Sequence, residues 1–285
     1  MQLKNNIWKR ETPNGTLFVK KYENRAVAEK VKFVHEQLAL IKFPYVIPLM
    51  KSREEDLIVQ KWQHNSRSAD FSIPLHRKQS LNILKALHQT KDKINWKNKG
   101  ILPVQNLPQK WNNRLEKFIL HEKELRPYLR HAYDDIVLFS SGVLKQIRRR
   151  KQLSNRKTTL LHGDVVHHNF LICEEKEMKL IDFDLAVLGD PAEELILWMH
   201  RVLPTINYDL SYLLKESPYL YEQCLTKMNY LQYPNELLRE WLYLIQLGKF
   251  DRESFLDYLM PFTENALRHW PQMALEIEKL QSNRH

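Results

Sequence analysis

The chain has 285 residues, with 43% hydrophobic and 11% aromatic content, enough for a real core in one large or two unequal domains. That composition excludes a disordered chain, and six glycines in the whole sequence exclude collagen-like and Gly-rich linker designs. The formal charge of +10 is a mild excess that favours anionic partners such as nucleotides. Two cysteines, Cys173 and Cys224, cannot form a disulfide framework and read as small core hydrophobes. No N-terminal apolar h-region and no membrane-length apolar run is visible, so the expectation is a reduced, cytoplasmic protein without a membrane span.

In chain order, Asn6–Glu11 and Thr16–Tyr22 are strand candidates joined by the turn signal Thr12-Pro13-Asn14-Gly15. Arg25–Ile41 reads as a helix, because Val27, Val31, Val34, Leu38 and Ile41 recur on one face. Val46–Met50 and Leu57–Lys61 are further strand candidates, split by the charged turn Ser52–Asp56. The polar stretch Trp62–Pro74 reads as a linker. Beyond it the spacing predicts helices over Leu75–Thr90, Gln109–Leu125 and Tyr133–Leu153. The basic run Arg148-Arg149-Arg150-Lys151 closes the last of these and reads as a solvated helix end. It lacks the aromatic interleaving of a single-strand binder, so nucleic acid is not an expected partner. Phe170–Cys173 and Met178–Ile181 flank the charged turn Glu174–Glu177 and read as a hairpin. After Pro191 the pattern is helical to Leu280, with Trp198, Trp241 and Trp270 on apolar stripes.

The chemistry is concentrated in LLHGDVVHHNFLICEEKEMKLIDFDLAVLGD, Leu160–Asp190. Burying carboxylates is costly unless they are paired or bound to a cation. Asn169 at the mouth of one hairpin strand and Asp182 after the other lie at the same end of that hairpin. An amide oxygen and a carboxylate there suit Mg²⁺, a hard ion that takes few protein oxygens and completes its shell with phosphates and water. Asp164, on the preceding loop, is placed to take a proton from a substrate hydroxyl. Asp184 is either a second metal ligand or a solvated acid. His167 and His168 are adjacent and point apart, and no Cys/His partner has zinc-ligand spacing.

The pattern His162-Gly163-Asp164-(x4)-Asn169, followed by Ile181-Asp182-Phe183-Asp184, resembles the aminoglycoside phosphotransferase/choline kinase family, small-molecule relatives of the protein kinases. The segment Gly189-Asp190-Pro191-Ala192-Glu193-Glu194-Leu195 is similar to that family's G-D-P-x-x-D-L-A, with Glu194 where an aspartate is usual and Ile196 where an alanine is. The resemblance implies an α+β, two-lobed protein-kinase-like fold. A small β-rich N-lobe with one helix (1–61) would bind the nucleotide, and a large, mainly helical C-lobe (62–285) would carry catalysis and the acceptor. It implies ATP and Mg²⁺ as cofactors and transfer of the γ-phosphoryl to a hydroxyl of a small molecule.

Carried over residue by residue, Asp164 is the base, and His162 belongs to the catalytic loop, which it orients. Asn169, Asp182 and Asp184 are the metal candidates, and Asp190 ties the loop by hydrogen bonds. Lys20 (rather than Lys21) is the phosphate lysine, paired with Glu29 or alternatively Glu36 on the helix. Gln60 and Trp62 belong to the hinge Val59–Trp62 beneath the adenine. Glu193, Glu194, Glu222 and Asp251 are acids that could attract a cationic acceptor. One departure is expected: only Pro13-Asn14-Gly15 offers a turn between the first two strands. A strand and its phosphate-cradling backbone are therefore expected to be missing. Some relatives, such as the spore-coat proteins of endospore-forming bacteria, look structural. A catalytically weak or inactive binding protein of that branch is thus the alternative reading.

Overall fold

The computed structural model describes residues 1–97, 100–149, 158–174 and 176–282. Arg150, Lys151 and the predicted helix end at Leu153 lie outside the described residues. The chain forms two compact units: Met1–Gln105 with Lys157–Glu194, and Asn106–Arg156 with Leu195–His285.

The first unit opens with a four-stranded antiparallel sheet in the order β1-β2-β3-β4, formed by Gln2–Lys4, Ile7–Thr12, Gly15–Lys21 and Leu57–Lys61. β1 corrects the expectation of a missing strand. It is joined to β2 by Asn5 and Asn6 alone, and Asn6 takes the left-handed φ of 63° that asparagine tolerates. The predicted Pro13-Asn14-Gly15 turn joins β2 to β3 instead, with Gly15 at φ 111°. In β3, Phe18 lies opposite Gln60 and Lys20 opposite Ile58, so the two alternate positions face the same side. Helix α1, Arg25–Leu40, is capped by Asn24, whose side chain accepts from the Ala26 N–H. It buries Ala28, Val31, Val34, His35 and Leu38.

Val46–Met50, expected as a strand, makes only isolated bridges, Val46 to Leu180 and Leu49 to Gln60. Pro48 in its middle has no N–H to give a ladder. The presumed linker instead contains β5, Arg67–Ser68, which pairs with β7, Phe170–Ile172; β8, Met178–Leu180, completes that sheet. β6, Thr159–Leu161, pairs with β9, Val187–Gly189. Helix α2, Pro74–Gln89, buries Leu81, Leu84, Leu87 and His88, the predicted stripe.

Outside this unit the described chain is helical. The predicted helix over Gln109–Leu125 is two helices, α3 (Leu107–Leu120) and α4 (Glu122–Leu129), divided where His121 leaves helical geometry. α5 is His131–Arg149 and α6, Pro191–Val202, follows β9. Then come α7 (Leu210–Glu216), α8 (Pro218–Cys224), α9 (Asn235–Gln246) and α10 (Lys249–Ser282). Trp198, Trp241 and Trp270 are all buried. The packing centre of the second unit is Trp111, fully buried and stacked on Tyr233 at 4.6 Å. The Tyr233 hydroxyl donates to the Trp111 carbonyl at 2.8 Å, while the Trp111 indole N–H has no partner among the described residues. Trp111→Ala should therefore cost about 3–5 kcal/mol in urea unfolding. Trp111→Phe should cost much less, because it also removes an unsatisfied donor.

Candidate active site

β6 delivers the chain into His162-Gly163-Asp164. His162 is fully buried, and its Nε2 donates to the Ile181 carbonyl at 2.9 Å. Its role is to hold the loop against the hairpin. Gly163 has φ 82°, and a Cβ there would sit 2.0 Å from the Leu185 carbonyl oxygen, so only glycine fits. The Gly163 N–H donates to Glu194 Oε1 at 2.8 Å, and Glu194 Oε2 lies 2.8 Å from His88 Nε2. Glu194 is thus a side chain that ties this loop. The extra methylene relative to aspartate lets a helix residue reach both groups while 1% exposed. Asp190 caps α6, accepting from the Ala192 N–H at 2.9 Å. Glu193 is buried as well and accepts from Gln105 Nε2 at 3.2 Å. Buried and engaged inside the unit, these two glutamates do not present their charges to a cationic acceptor.

Asn169 donates its amide to the Asp164 carbonyl at 2.9 Å and to Asp164 Oδ2 at 3.3 Å. That orients the Asp164 carboxylate and leaves the Asn169 amide oxygen as its acceptor end. The Ile181 N–H donates to the Asn169 carbonyl at 3.0 Å, which fixes Asn169 and Asp182 at one end of the β7–β8 hairpin. Asp182 is held in the left-handed region at φ 66°, a strained conformation for a non-glycine residue. Asn169 Oδ1 and the Asp182 and Asp184 carboxylates are all oxygen donors, the donor chemistry Mg²⁺ prefers.

Lys20 reaches both acids, at 2.9 Å from Asp182 Oδ1 and 2.6 Å from Asp184 Oδ2. Tyr22 donates its hydroxyl to Asp184 Oδ1 at 2.6 Å, and Lys30 of α1 donates to the Asp184 carbonyl at 2.6 Å. Burial pulls the Lys20 ammonium down, but the two acids outweigh it and hold it above its ordinary value. Burial and the neighbouring Asp182 raise the Asp184 carboxyl, whereas the Lys20 charge overcomes burial at Asp182 and lowers it. Glu29 and Glu36 are both exposed, and Lys20 bonds to Asp182 and Asp184 instead. The expected lysine–helix glutamate pair is therefore replaced by a pair with the hairpin acids. The α1 side chains that line this region are Val31 and His35. His35 stacks edge-on to Phe183 at 5.4 Å, and Phe183 does the same to His162 at 4.8 Å.

Lys20, Tyr22, Asn169 and Asp182 share a cavity of about 300 Å³ with Gln60, Lys61 and Trp62; Asp164 and Asp184 are not among its lining residues. Its apolar wall includes Phe18, Ile47, Ile58, Leu171 and Ile181. Gln60 Nε2 is committed to the Ile47 carbonyl at 2.7 Å, and the Trp62 N–H to the Thr16 carbonyl at 3.0 Å. Sequence reasoning missed Tyr22, Lys30 and His35. Tyr22 carries a signal, since it lies two residues beyond Lys20, just past the end of β3, where strand alternation continued would put it on the Lys20 side; the α1 residues carry none, because helix periodicity marks a buried face without saying what it packs against.

Glu194→Ala strands the Gly163 N–H and removes the partner of buried His88. It is expected to cost about 3 kcal/mol or more in denaturant unfolding. Burial also lowers His35 to about 4. Its contribution to stability is complete above the ordinary histidine value of about 6.5 and is lost as pH falls through 4. His35→Leu should therefore flatten the fall of urea midpoints over that window, by up to about 3 kcal/mol.

The described residues form no helix long and apolar enough to cross a membrane. No curated protein is significantly similar to this sequence. Solved structures are similar across nearly the whole chain. An aminoglycoside phosphotransferase from Alicyclobacillus acidocaldarius aligns over 98% of this chain and 92% of its own, with a TM-score of 0.67 and 16% identity. A spectinomycin phosphotransferase in complex with ADP and spectinomycin aligns over 95% and 89%, at 0.62 and 16%. The choline kinase LicA from Streptococcus pneumoniae aligns over 99% and 92%, at 0.53 and 13%. At these identities the likeness shows the fold, a two-lobed kinase-like α+β architecture. The model of the phosphotransferase enzyme family matches residues 68–216, more than half of the sequence and the stretch that holds the catalytic loop and the hairpin acids. The chain belongs to the phosphotransferase enzyme family.

Proposed function

We propose that this protein transfers the γ-phosphoryl group of ATP to a hydroxyl of a small molecule, with Mg²⁺ as cofactor and Asp164 as base. The observation that carries the reading is the single cavity that holds Lys20, Asn169 and Asp182 beside the hinge residues Gln60 and Trp62. The apolar wall suits a purine base, and Lys20 supplies the positive charge for the phosphates. Asn169, Asp182 and Asp184 would hold the Mg²⁺, which supplies neutralisation of charge developing on the transferred group. Asp164, oriented by the Asn169 amide, would receive the acceptor's proton. In this division residues 1–61 serve the nucleotide, and 62–285 serve catalysis and the acceptor. The spectinomycin phosphotransferase solved with ADP and LicA solved with AMP support a nucleotide in this fold.

A second reading, a kinase-like binding protein with little transfer, is favoured by one observation. The turn between β1 and β2 has only Asn5 and Asn6, so it offers little backbone to cradle phosphates. The test is a melting-temperature shift with millimolar Mg-ATP, followed by phosphate transfer from ATP across a panel of small alcohols and amino-alcohols. A shift with transfer is expected, and Asp164→Asn should lower the transfer rate about 10²–10⁴-fold with the shift retained. A shift without transfer favours the second reading, and no shift overturns both.

A further inference from the structure

The phosphotransfer reading leaves Lys20 in an unusual position. A strand lysine that serves nucleotide phosphates is ordinarily held by a helix carboxylate, which keeps it clear of the metal ligands. Here α1 presents Val31 and His35 to the cavity, and its acids Glu29 and Glu36 are exposed. Lys20 instead bridges the two metal candidates, 2.9 Å from Asp182 Oδ1 and 2.6 Å from Asp184 Oδ2. Its side chain is only 16% exposed, and Tyr22 and Lys30 brace Asp184 from its other sides. A Mg²⁺ ion needs oxygens at about 2.0–2.1 Å in near-octahedral array. The ammonium already occupies one oxygen of each acid.

We propose that Lys20 is an internal counter-cation of the metal acids. It occupies Asp182 and Asp184 until a metal–nucleotide complex supplies both a competing cation and phosphate oxygens to receive the lysine. Among the described residues the carboxylates that Lys20 bonds are Asp182 and Asp184, with no α1 carboxylate beside them. Metal alone is therefore excluded, and metal and nucleotide enter together. Tyr22 and Lys30 are the positioning residues of this device, because they hold Asp184 turned toward Lys20. The inference rests on the metal assignment made above for Asn169, Asp182 and Asp184.

The test is binding of Mn²⁺ alone, read by electron paramagnetic resonance of the free ion without any nucleotide. Wild type should bind no tighter than millimolar, and Lys20→Gln should bind at least tenfold tighter. Equal Mn²⁺ affinity in Lys20→Gln and wild type overturns the proposal. If Lys20→Gln does not fold, Val31→Glu decides in its place. It brings a carboxylate to the cavity that Lys20 lines, and should likewise tighten Mn²⁺ at least tenfold; affinity unchanged from wild type overturns the proposal. The phosphotransfer reading is tested separately, by the Mg-ATP melting shift of wild type. A protein that shows the shift but no gain on Lys20→Gln retains that reading and loses this one.

Discussion

Two carboxylates, Asp182 and Asp184, converge on one largely covered ammonium, and the cation of Lys20 offsets the repulsion between them. The lysine sits on β3, which neighbours β2 and β4 in the four-stranded sheet, while the acids follow the β7–β8 hairpin. Each segment is placed by its own ladder, and the ion pairs close the space between ladders 162 and 164 residues apart in sequence. The left-handed backbone at Asp182 is the strained element in the arrangement. It turns the chain so that two acids separated by one residue can face the same ammonium.

The His162–Asn169 loop obeys a different constraint. Its backbone is tied by a buried carboxylate from α6, and its histidine is clamped to the hairpin through the Ile181 carbonyl. These contacts fix the backbone that carries Asp164 and Asn169. Phosphoryl transfer depends mainly on positioning and electrostatics rather than on covalent chemistry by the protein. A loop whose orientation is set by buried partners suits that demand.

Much of this is legible in the sequence. The spacing from His162 to Asn169 and the acids after Ile181 placed the hairpin end correctly, because strand periodicity and loop length are local properties. The helix over Arg25–Ile41 and the α2 stripe followed from apolar recurrence. What failed was non-local. Short strands such as Arg67–Ser68 exist only because β7 offers a partner, and a two-residue strand has no periodicity to detect. β1 was hidden for the same reason, its three residues lying ahead of an Asn-Asn turn. The partner of Lys20 was misassigned because choosing among helix acids needs the helix's rotation about its axis. That rotation turned Val31 and His35 inward and left Glu29 and Glu36 in water. Glu194 was noticed as a departure, but only its burial revealed what the longer side chain reaches.

The close approach of Gly163 to Leu185 has a bearing on how such a protein can be changed. The His162–Asp164 loop and the segment Asp182–Leu185 meet where the Leu185 carbonyl fills the space a Cβ at position 163 would need. The two motifs therefore form one interlocking part rather than two modules. A graft that imports the loop of one family member with the metal segment of another would bring together surfaces shaped for different partners.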